Sequence, residues 1–183
     1  MRMTFSSLAA AIALALTTPG WAALEVGTPA PAIDLPAALA GQDSHFVLSE
    51  ALKQGPVVVY FYPKAFTSGC TVEAHLFAEA MDDFKALGAS VIGISNDDIL
   101  TLHKFSLSEC GGKFPVAADE KSQVIAAYDA KMPVVGNAKR VSYVVAPSGE
   151  IIYSYSAMSP QEHVKNTMQA VRGWRNQAST EKP

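Results

Sequence analysis

Short continuous apolar runs alternate along the chain with apolar residues at helical spacing, and this alternation predicts strands followed by helices. Residues 57–62 form a β-branched and aromatic run, and residues 90–95 form a second apolar run; both are typical of buried strands. Between them, apolar residues recur every three or four positions over 72–87. Gly88 follows directly, so a helix is predicted to end there.

The second half of the chain continues the alternation and closes with a hairpin and a helix. Further helices are predicted over 98–109 and 122–130, on either side of a short extended segment at 114–118. The runs 141–146 and 151–155 flank a Pro-Ser-Gly-Glu turn, which is a hairpin signal, and a last helix to about Trp174 follows.

This order of elements predicts an α/β protein with one mixed sheet and helices on both faces. A thioredoxin-like fold is the simplest match. The Pro-rich residues 24–40 are predicted as an extended lead-in. We therefore expect one domain over 23–175, followed by a polar tail at 176–183.

The N-terminus has the layout of a cleavable signal peptide. Arg2 gives a positive start, residues 8–16 are uninterruptedly apolar, and Gly20 and Ala22 are small residues at −3 and −1 of a cut before Ala23. The apolar run is about half of the roughly 20 residues that a spanning helix needs. We expect residues 1–22 to be removed during export to the periplasm or medium, without stable membrane association; an uncleaved anchor is the alternative.

Composition and charge exclude several classes of function. The 183 residues are 49% hydrophobic, which is enough for a core, and the net charge of −3 argues against nucleic-acid binding. Two cysteines cannot form a four-thiolate zinc site, and neither a His-Glu-x-x-His motif nor a Gly-x-x-x-x-Gly-Lys loop is present. No metal or cofactor is expected.

The two cysteines, Cys70 and Cys110, allow more than one interpretation. In an exported protein they could form a structural disulfide closing a 41-residue loop, a cross-link that stabilises by about 4 kcal/mol in the chain-entropy model. Cys70 could also be a small buried core residue. However, Cys70 follows a predicted buried strand and opens a predicted helix, where unpaired N–H groups stabilise a thiolate. This position favours a reactive cysteine.

Residues 60–73 (YFYPKAFTSGCTVE) resemble the peroxidatic segment of peroxiredoxins, most closely the Q-type or bacterioferritin-comigratory-protein branch. The family pattern P-x-x-x-T-x-x-C is matched by Pro63, Thr67 and Cys70, and the following T-x-E by Thr71 and Glu73. Three further segments match in order: 26–31 (VGTPAP) the V-G-x-x-A-P opening, 114–119 (FPVAAD) the F-P-L-L-S-D segment, and 140–145 (RVSYVV) the R-x-T/S-F/Y strand.

The resemblance implies a thiol peroxidase that reduces hydrogen peroxide and organic hydroperoxides. Cys70 would be the peroxidatic cysteine, whose thiolate attacks one peroxide oxygen and becomes a sulfenic acid. Thr67 and Arg140 would hold the sulfur and the two oxygens, and Pro63 would shield the pocket from water. Glu73, one helical turn after Cys70, would orient Arg140.

Resolution of the sulfenic acid is the point at which this chain departs from many Q-type relatives. They often carry a resolving cysteine at the position occupied here by His75. Cys110 is the remaining candidate, and an external thiol in a one-cysteine mechanism is the alternative. Ala65 and Phe66 also differ from many relatives and make the mouth more apolar. The implied partners are a peroxide and a thioredoxin-like or small-thiol reductant, with a monomer or weak dimer as the working unit.

Two other functions remain as alternatives. A thioredoxin-like thiol–disulfide oxidoreductase would need C-x-x-C at the strand-to-helix junction, but Thr67 stands where the first cysteine would be. A copper-binding module of the same fold would need a second soft ligand near Cys70, and His75 is the nearest candidate in sequence.

Overall fold

A seven-stranded mixed sheet lies at the centre of the computed structural model, which describes residues 23–180. The strands are β1 (Asp34–Leu39), β2 (Gln42–Val47), β3 (Val57–Phe61), β4 (Ser90–Ser95), β5 (Val116–Ala118), β6 (Val141–Val145) and β7 (Ile151–Ser156), in the order β2-β1-β5-β4-β3-β6-β7. The β3–β4 and β4–β5 pairs are parallel and the others antiparallel. The helices are α1 (Leu48–Ala51), α2 (Ser68–Ala86), α3 (Ile99–Ser108), α4 (Gln123–Ala127) and α5 (Pro160–Thr180).

Helices cover both faces of the sheet, as the alternating pattern predicts. Side chains point alternately to the two faces along β3, so Val58 and Tyr60 belong to one apolar cluster and Val57, Val59 and Phe61 to the other. The first cluster contains residues of α2, α3 and α5, and the second contains residues of α1 and α4. Every residue of β3 is therefore buried, which explains its continuous apolar sequence.

The central strands bring Arg140 beside the start of α2. Strand β3 ends at Phe61, and its antiparallel neighbour β6 begins at Val141, which is the register partner of Phe61. Arg140 immediately precedes β6 and thus lies next to the loop that leads from β3 into α2. The backbone N–H of Ala65 in this loop donates to Asp97 Oδ2 (2.7 Å), and this bond ties the loop to the segment after β4.

The structure differs from the sequence-based expectations at two places. The extended lead-in contains a strand, β1, that pairs with both β2 and β5. The prediction of a polar tail from residue 176 is wrong as far as Thr180, because α5 continues to that residue. No glycine or proline interrupts residues 175–180, and Arg175 Nη1 donates to the Leu87 carbonyl (3.3 Å).

The predicted signal peptide, residues 1–22, lies outside the described residues, as do residues 181–183 of the predicted tail. Among the helices of the described part, none is both long enough and apolar enough to cross a bilayer.

Candidate active site

Cys70 lies in the first turn of α2 and is almost fully buried, with 1% of its surface exposed. Thr67 is the N-cap residue, and its backbone is extended. No acidic residue lies in the first turn, so no carboxylate within that turn offsets the partial positive charge of the helix N-terminus. Cys70 thus lies at the start of a helix, as the sequence predicts.

Thr67 Oγ1 donates to the backbone carbonyl of Lys64 (2.9 Å). Because its single hydrogen is used in this bond, the oxygen is left with lone pairs that accept hydrogen bonds. Thr67 is exposed, in contrast to Cys70. The hydroxyl oxygen is therefore free to accept a hydrogen bond at the solvent-exposed start of α2.

The Arg140 guanidinium makes three directed contacts while being 4% exposed. Nη2 donates to Cys70 Sγ (3.5 Å), Nη1 donates to Glu73 Oε2, and Nε donates to the backbone carbonyl of Met158 (3.1 Å). The structure therefore brings Cys70, Glu73 and Arg140 together, although they are separated by up to 70 positions in sequence. A permanent positive charge is held against the sulfur in a fixed orientation.

Glu73 is fully buried on α2, and its second oxygen, Oε1, has no hydrogen-bond partner among the described residues. Burial raises the pKa of the Glu73 carboxyl to about 8, although the charge and hydrogen bond of Arg140 act in the opposite direction. Arg140 is thus the group that favours the ionised carboxylate, and removing either partner would leave the other buried without compensation.

Gly69 is a site residue that the sequence analysis missed. A Cβ atom at this position would lie 3.0 Å from Arg140 Nη2 and 3.9 Å from Arg140 Cζ. The absent side chain gives the guanidinium the space it needs to reach the sulfur. The sequence signal was a glycine in the first turn of a helix, where most other residues are better helix formers.

His163 of α5 was also missed, because a single histidine in an amphipathic helix carries no motif. It is fully buried; Nε2 lies 2.9 Å from the Ala157 carbonyl and Nδ1 lies 2.8 Å from Ser142 Oγ. A carbonyl only accepts, so Nε2 carries the hydrogen and Nδ1 accepts from the Ser142 hydroxyl. Burial lowers the pKa of His163 to about 4, which agrees with a neutral ring.

Pro63 and Phe66 lie in the loop between β3 and α2. Pro63 is half-buried and directly follows the buried Tyr62. Phe66 adopts a left-handed backbone conformation (φ +62°), is 48% exposed, and packs edge-on against Phe105 of α3 with 5.2 Å between ring centroids. The loop thus places one proline and one exposed aromatic ring next to the start of α2.

Cys110 follows the end of α3 and is fully buried; both cysteines are free thiols. They belong to the same apolar cluster on one face of the sheet. Burial raises the pKa of the Cys110 thiol, and the neighbouring Glu109 carboxylate adds to this effect. His75 Nε2 lies 3.0 Å from Glu109 Oε2, so the copper-ligand candidate of the sequence analysis is paired with a carboxylate. In residues 23–180 no three His, Cys, Asp or Glu side chains group as a metal site.

The buried imidazole predicts a pH-dependent contribution to folding stability. The pKa of His163 is about 4 in the fold against an ordinary value of 6.5, so between these values the unfolded chain binds a proton that the native state does not. Stability is therefore lost as the pH falls through this window. Between pH 7 and pH 5 we expect the parent to lose about 2 kcal/mol more than His163→Gln, measured by urea unfolding. Glu73 is present in both proteins, so its titration contributes to both losses. Equal losses of stability in the parent and in His163→Gln would contradict the expectation.

Comparisons with known proteins bear on the site as a whole. The AhpC/TSA family model matches residues 26–154. A putative chloroplastic peroxiredoxin Q of Oryza sativa subsp. indica is 34% identical over 136 residues, covering 73% of this chain and 62% of the relative. A putative peroxiredoxin of Mycobacterium tuberculosis, MT1643, is 31% identical over 133 residues and 86% of its length. The chain thus spans about 62% of the length of the first plant relative.

Solved structures show the same similarity in three dimensions. Peroxidoxin BcpB from Mycobacterium tuberculosis superposes with a TM-score of 0.76 at 28% identity, over 82% of this chain and 97% of that one. A Xanthomonas campestris peroxiredoxin Q superposes with a TM-score of 0.68 at 25% identity, over 77% of this chain and 91% of that one. The mixed sheet is therefore that of the thioredoxin-like α/β fold, and the chain belongs to the AhpC/TSA family, among relatives of the peroxiredoxin Q type.

Proposed function

We propose that this protein is a thiol peroxidase in which Cys70 reduces hydrogen peroxide and organic hydroperoxides. The observation that carries the proposal is the Arg140 guanidinium, which donates to Cys70 Sγ (3.5 Å) from one prong and to Glu73 from the other. The Cys70 thiolate attacks one peroxide oxygen, so an S–O bond forms as the O–O bond breaks. Sulfur is oxidised to sulfenic acid, and the leaving hydroxide or alkoxide takes a proton from water.

The surrounding residues account for the orientation of the peroxide. Thr67 Oγ1 has given its hydrogen to Lys64 and accepts the peroxide hydrogen. Arg140 donates to the sulfur and to the oxygen on which negative charge develops, and it needs no reorganisation in the transition state. Pro63 has no N–H to bind water. Gly69 leaves the space in which Arg140 lies.

A disulfide oxidoreductase function is less well supported by this site. In the C-x-x-C arrangement a second thiol would occupy the N-cap position of α2. Thr67 is at that position, and its hydroxyl bonds to the Lys64 carbonyl. A single cysteine beside a cationic group is better suited to reducing a peroxide than to exchanging disulfides.

Resolution requires a second thiol, and Cys110 is our candidate within the chain. Attack by its thiolate on the sulfenic sulfur of Cys70 would release hydroxide, which becomes water, and leave an intramolecular disulfide. In the folded state Cys110 is buried and its pKa is raised, so it is a poor nucleophile until the region opens. An external thioredoxin-like dithiol or small thiol then reduces the disulfide, or attacks Cys70 directly. The working unit proposed is a monomer or weak dimer.

We also propose export. The positive start, the apolar run of residues 8–16 and the small residues Gly20 and Ala22 support a leader cleaved before Ala23. An exported enzyme would reduce peroxide in the periplasm or medium and so contribute to antioxidant defence there.

Loss of the Cys70 nucleophile is expected to abolish peroxide consumption. Cys70→Ser keeps nearly the same volume but lacks a thiolate, so we expect at least a 1,000-fold fall in rate, of the order that loss of a catalytic nucleophile produces. The measurement is peroxide consumption with a dithiol reductant, together with circular dichroism to confirm the fold. Turnover near the parent rate in Cys70→Ser would refute the peroxidase proposal.

Gly69→Ala is expected to slow the oxidation of Cys70. The new Cβ displaces Arg140 Nη2 by a few tenths of an ångström, and we expect the oxidation rate to fall by about tenfold. Alanine is a good helix former, so the helical circular dichroism signal should be retained. Gly173→Ala in α5 is the control, since its Cβ meets nothing within 4 Å. Equal oxidation rates for both variants and the parent would show that Gly69 has no role.

Cys110→Ala separates oxidation from resolution. We expect the first oxidation of Cys70 by peroxide to stay at the parent rate. Turnover with a thioredoxin-type donor should fall by tenfold or more, and excess peroxide should drive Cys70 to sulfinic acid more readily. Intact mass after one equivalent of peroxide gives the species: a loss of two hydrogens in the parent, a gain of one oxygen in the variant. Parent-like turnover in the variant would assign resolution to an external thiol.

The leader is tested by producing the full chain in a bacterium with a periplasm. We expect the mature protein to be recovered from the periplasm with Ala23 as its first residue. Ala22→Lys should block cleavage, because the −1 position takes small residues. Recovery of both proteins from the cytosol with intact N-termini would contradict export.

A further inference from the structure

The third contact of Arg140 lies outside the elements that carry Cys70 and Glu73. Arg140 Nε donates to the carbonyl of Met158, in the short segment between β7, which ends at Ser156, and α5, which begins at Pro160. The Met158 side chain is 75% exposed, so burial of this side chain does not fix the segment. Its backbone needs another attachment if the Met158 carbonyl is to hold a catalytic guanidinium in place.

His163 supplies that attachment. Its Nε2 donates to the carbonyl of Ala157 (2.9 Å), the residue before Met158. Its Nδ1 accepts from Ser142 Oγ (2.8 Å) on β6, two residues after Arg140. The imidazole thus joins α5, β6 and the 157–158 segment, which meet around Arg140. The ring packs edge-on against Tyr155 (4.8 Å between centroids), which limits its rotation.

The tautomer of His163 also determines what Glu73 can bind. Glu73 Oε1 lies 4.0 Å from His163 Nδ1, but Nδ1 carries no hydrogen because it accepts from Ser142. The imidazole therefore does not compete with Arg140 for the carboxylate. Within the described part of the chain, Arg140 is the hydrogen-bond donor to Glu73.

We propose that His163 is a positioning residue for the peroxidase reaction, which orients Arg140 through the Ala157–Met158 backbone and through Ser142. This inference rests on the proposed role of Arg140. Without the His163 nitrogens, the Met158 carbonyl loses its fixed place, and the guanidinium fork is held only by Glu73 and the sulfur. The rate of Cys70 oxidation then falls because the guanidinium is poorly aligned with the transition state. Misplacement of a catalytic group by about 1 Å can cost 100-fold in rate.

The test combines His163 and Arg140 variants in a double-mutant cycle. His163→Phe keeps an aromatic ring against Tyr155 and removes both nitrogens, whereas His163→Gln keeps an amide that can donate to Ala157. Thr167→Val is the matched control, because Thr167 is equally buried one turn later and its hydroxyl bonds only within α5. The readouts are the rate of Cys70 oxidation by hydrogen peroxide in a single turnover and the melting temperature.

We expect His163→Phe to slow oxidation by about tenfold or more in the parent and by less than twofold in the Arg140→Lys background, because both changes act on one interaction. His163→Gln should retain most of the parent rate. Thr167→Val should lower the melting temperature and leave the rate unchanged. Ser142→Ala keeps the bond to Ala157, so it should cost less than His163→Phe but should show the same dependence on the Arg140 background. Its cycle with Arg140→Lys tests the proposal if His163→Phe does not fold.

Equal fold losses from His163→Phe in the two backgrounds would overturn the proposal, as would a rate loss in Thr167→Val matching that in His163→Phe. A parent-like oxidation rate in Arg140→Lys itself would instead refute the proposed role of Arg140. The two failures are therefore distinguishable.

Discussion

The Arg140–Glu73 pair is the interaction on which the rest of the site depends. Both partners lie in the interior, where Glu73 is fully buried and Arg140 is 4% exposed. Burying the guanidinium is costly unless its remaining N–H groups also find partners. The other guanidinium nitrogens use Cys70 Sγ and the Met158 carbonyl for this purpose. A structural requirement, compensation of a buried cation, therefore also places a permanent positive charge against the Cys70 sulfur.

The sheet makes this geometry possible because it aligns the end of one central strand with the start of the next. Phe61 of β3 and Val141 of β6 are register partners. The loop before α2 therefore lies next to Arg140, the residue before β6. Both strands are buried on both faces, so a one-residue shift of register would move every side chain into the opposite apolar cluster and disrupt its packing. The position of Arg140 relative to α2 thus follows from the packing of the core.

The sequence predicted features that depend on local pattern, and it did not predict roles that depend on tertiary contacts. The buried runs at β3 and β4 and the start of α2 were predicted from spacing, and the structure has them. The contact between Glu73 and Arg140, which the family resemblance implied, is also present. The roles of Gly69 and His163 were not predicted, since a missing side chain and a lone histidine acquire meaning only from neighbours distant in sequence. The extent of α5 was underestimated because polar residues at its end were interpreted as a tail, although the helix continues to Thr180.

The most direct measurement compares two reactions of Cys70 in Arg140→Lys, oxidation by hydrogen peroxide and alkylation by iodoacetamide. Lysine keeps the positive charge but lacks the planar fork. If the fork holds the peroxide oxygens in the transition state, oxidation should fall about 100-fold or more, whereas alkylation, which involves no peroxide, should fall far less. Equal losses in the two reactions would contradict this, because they would mean that Arg140 acts only through its charge on the sulfur.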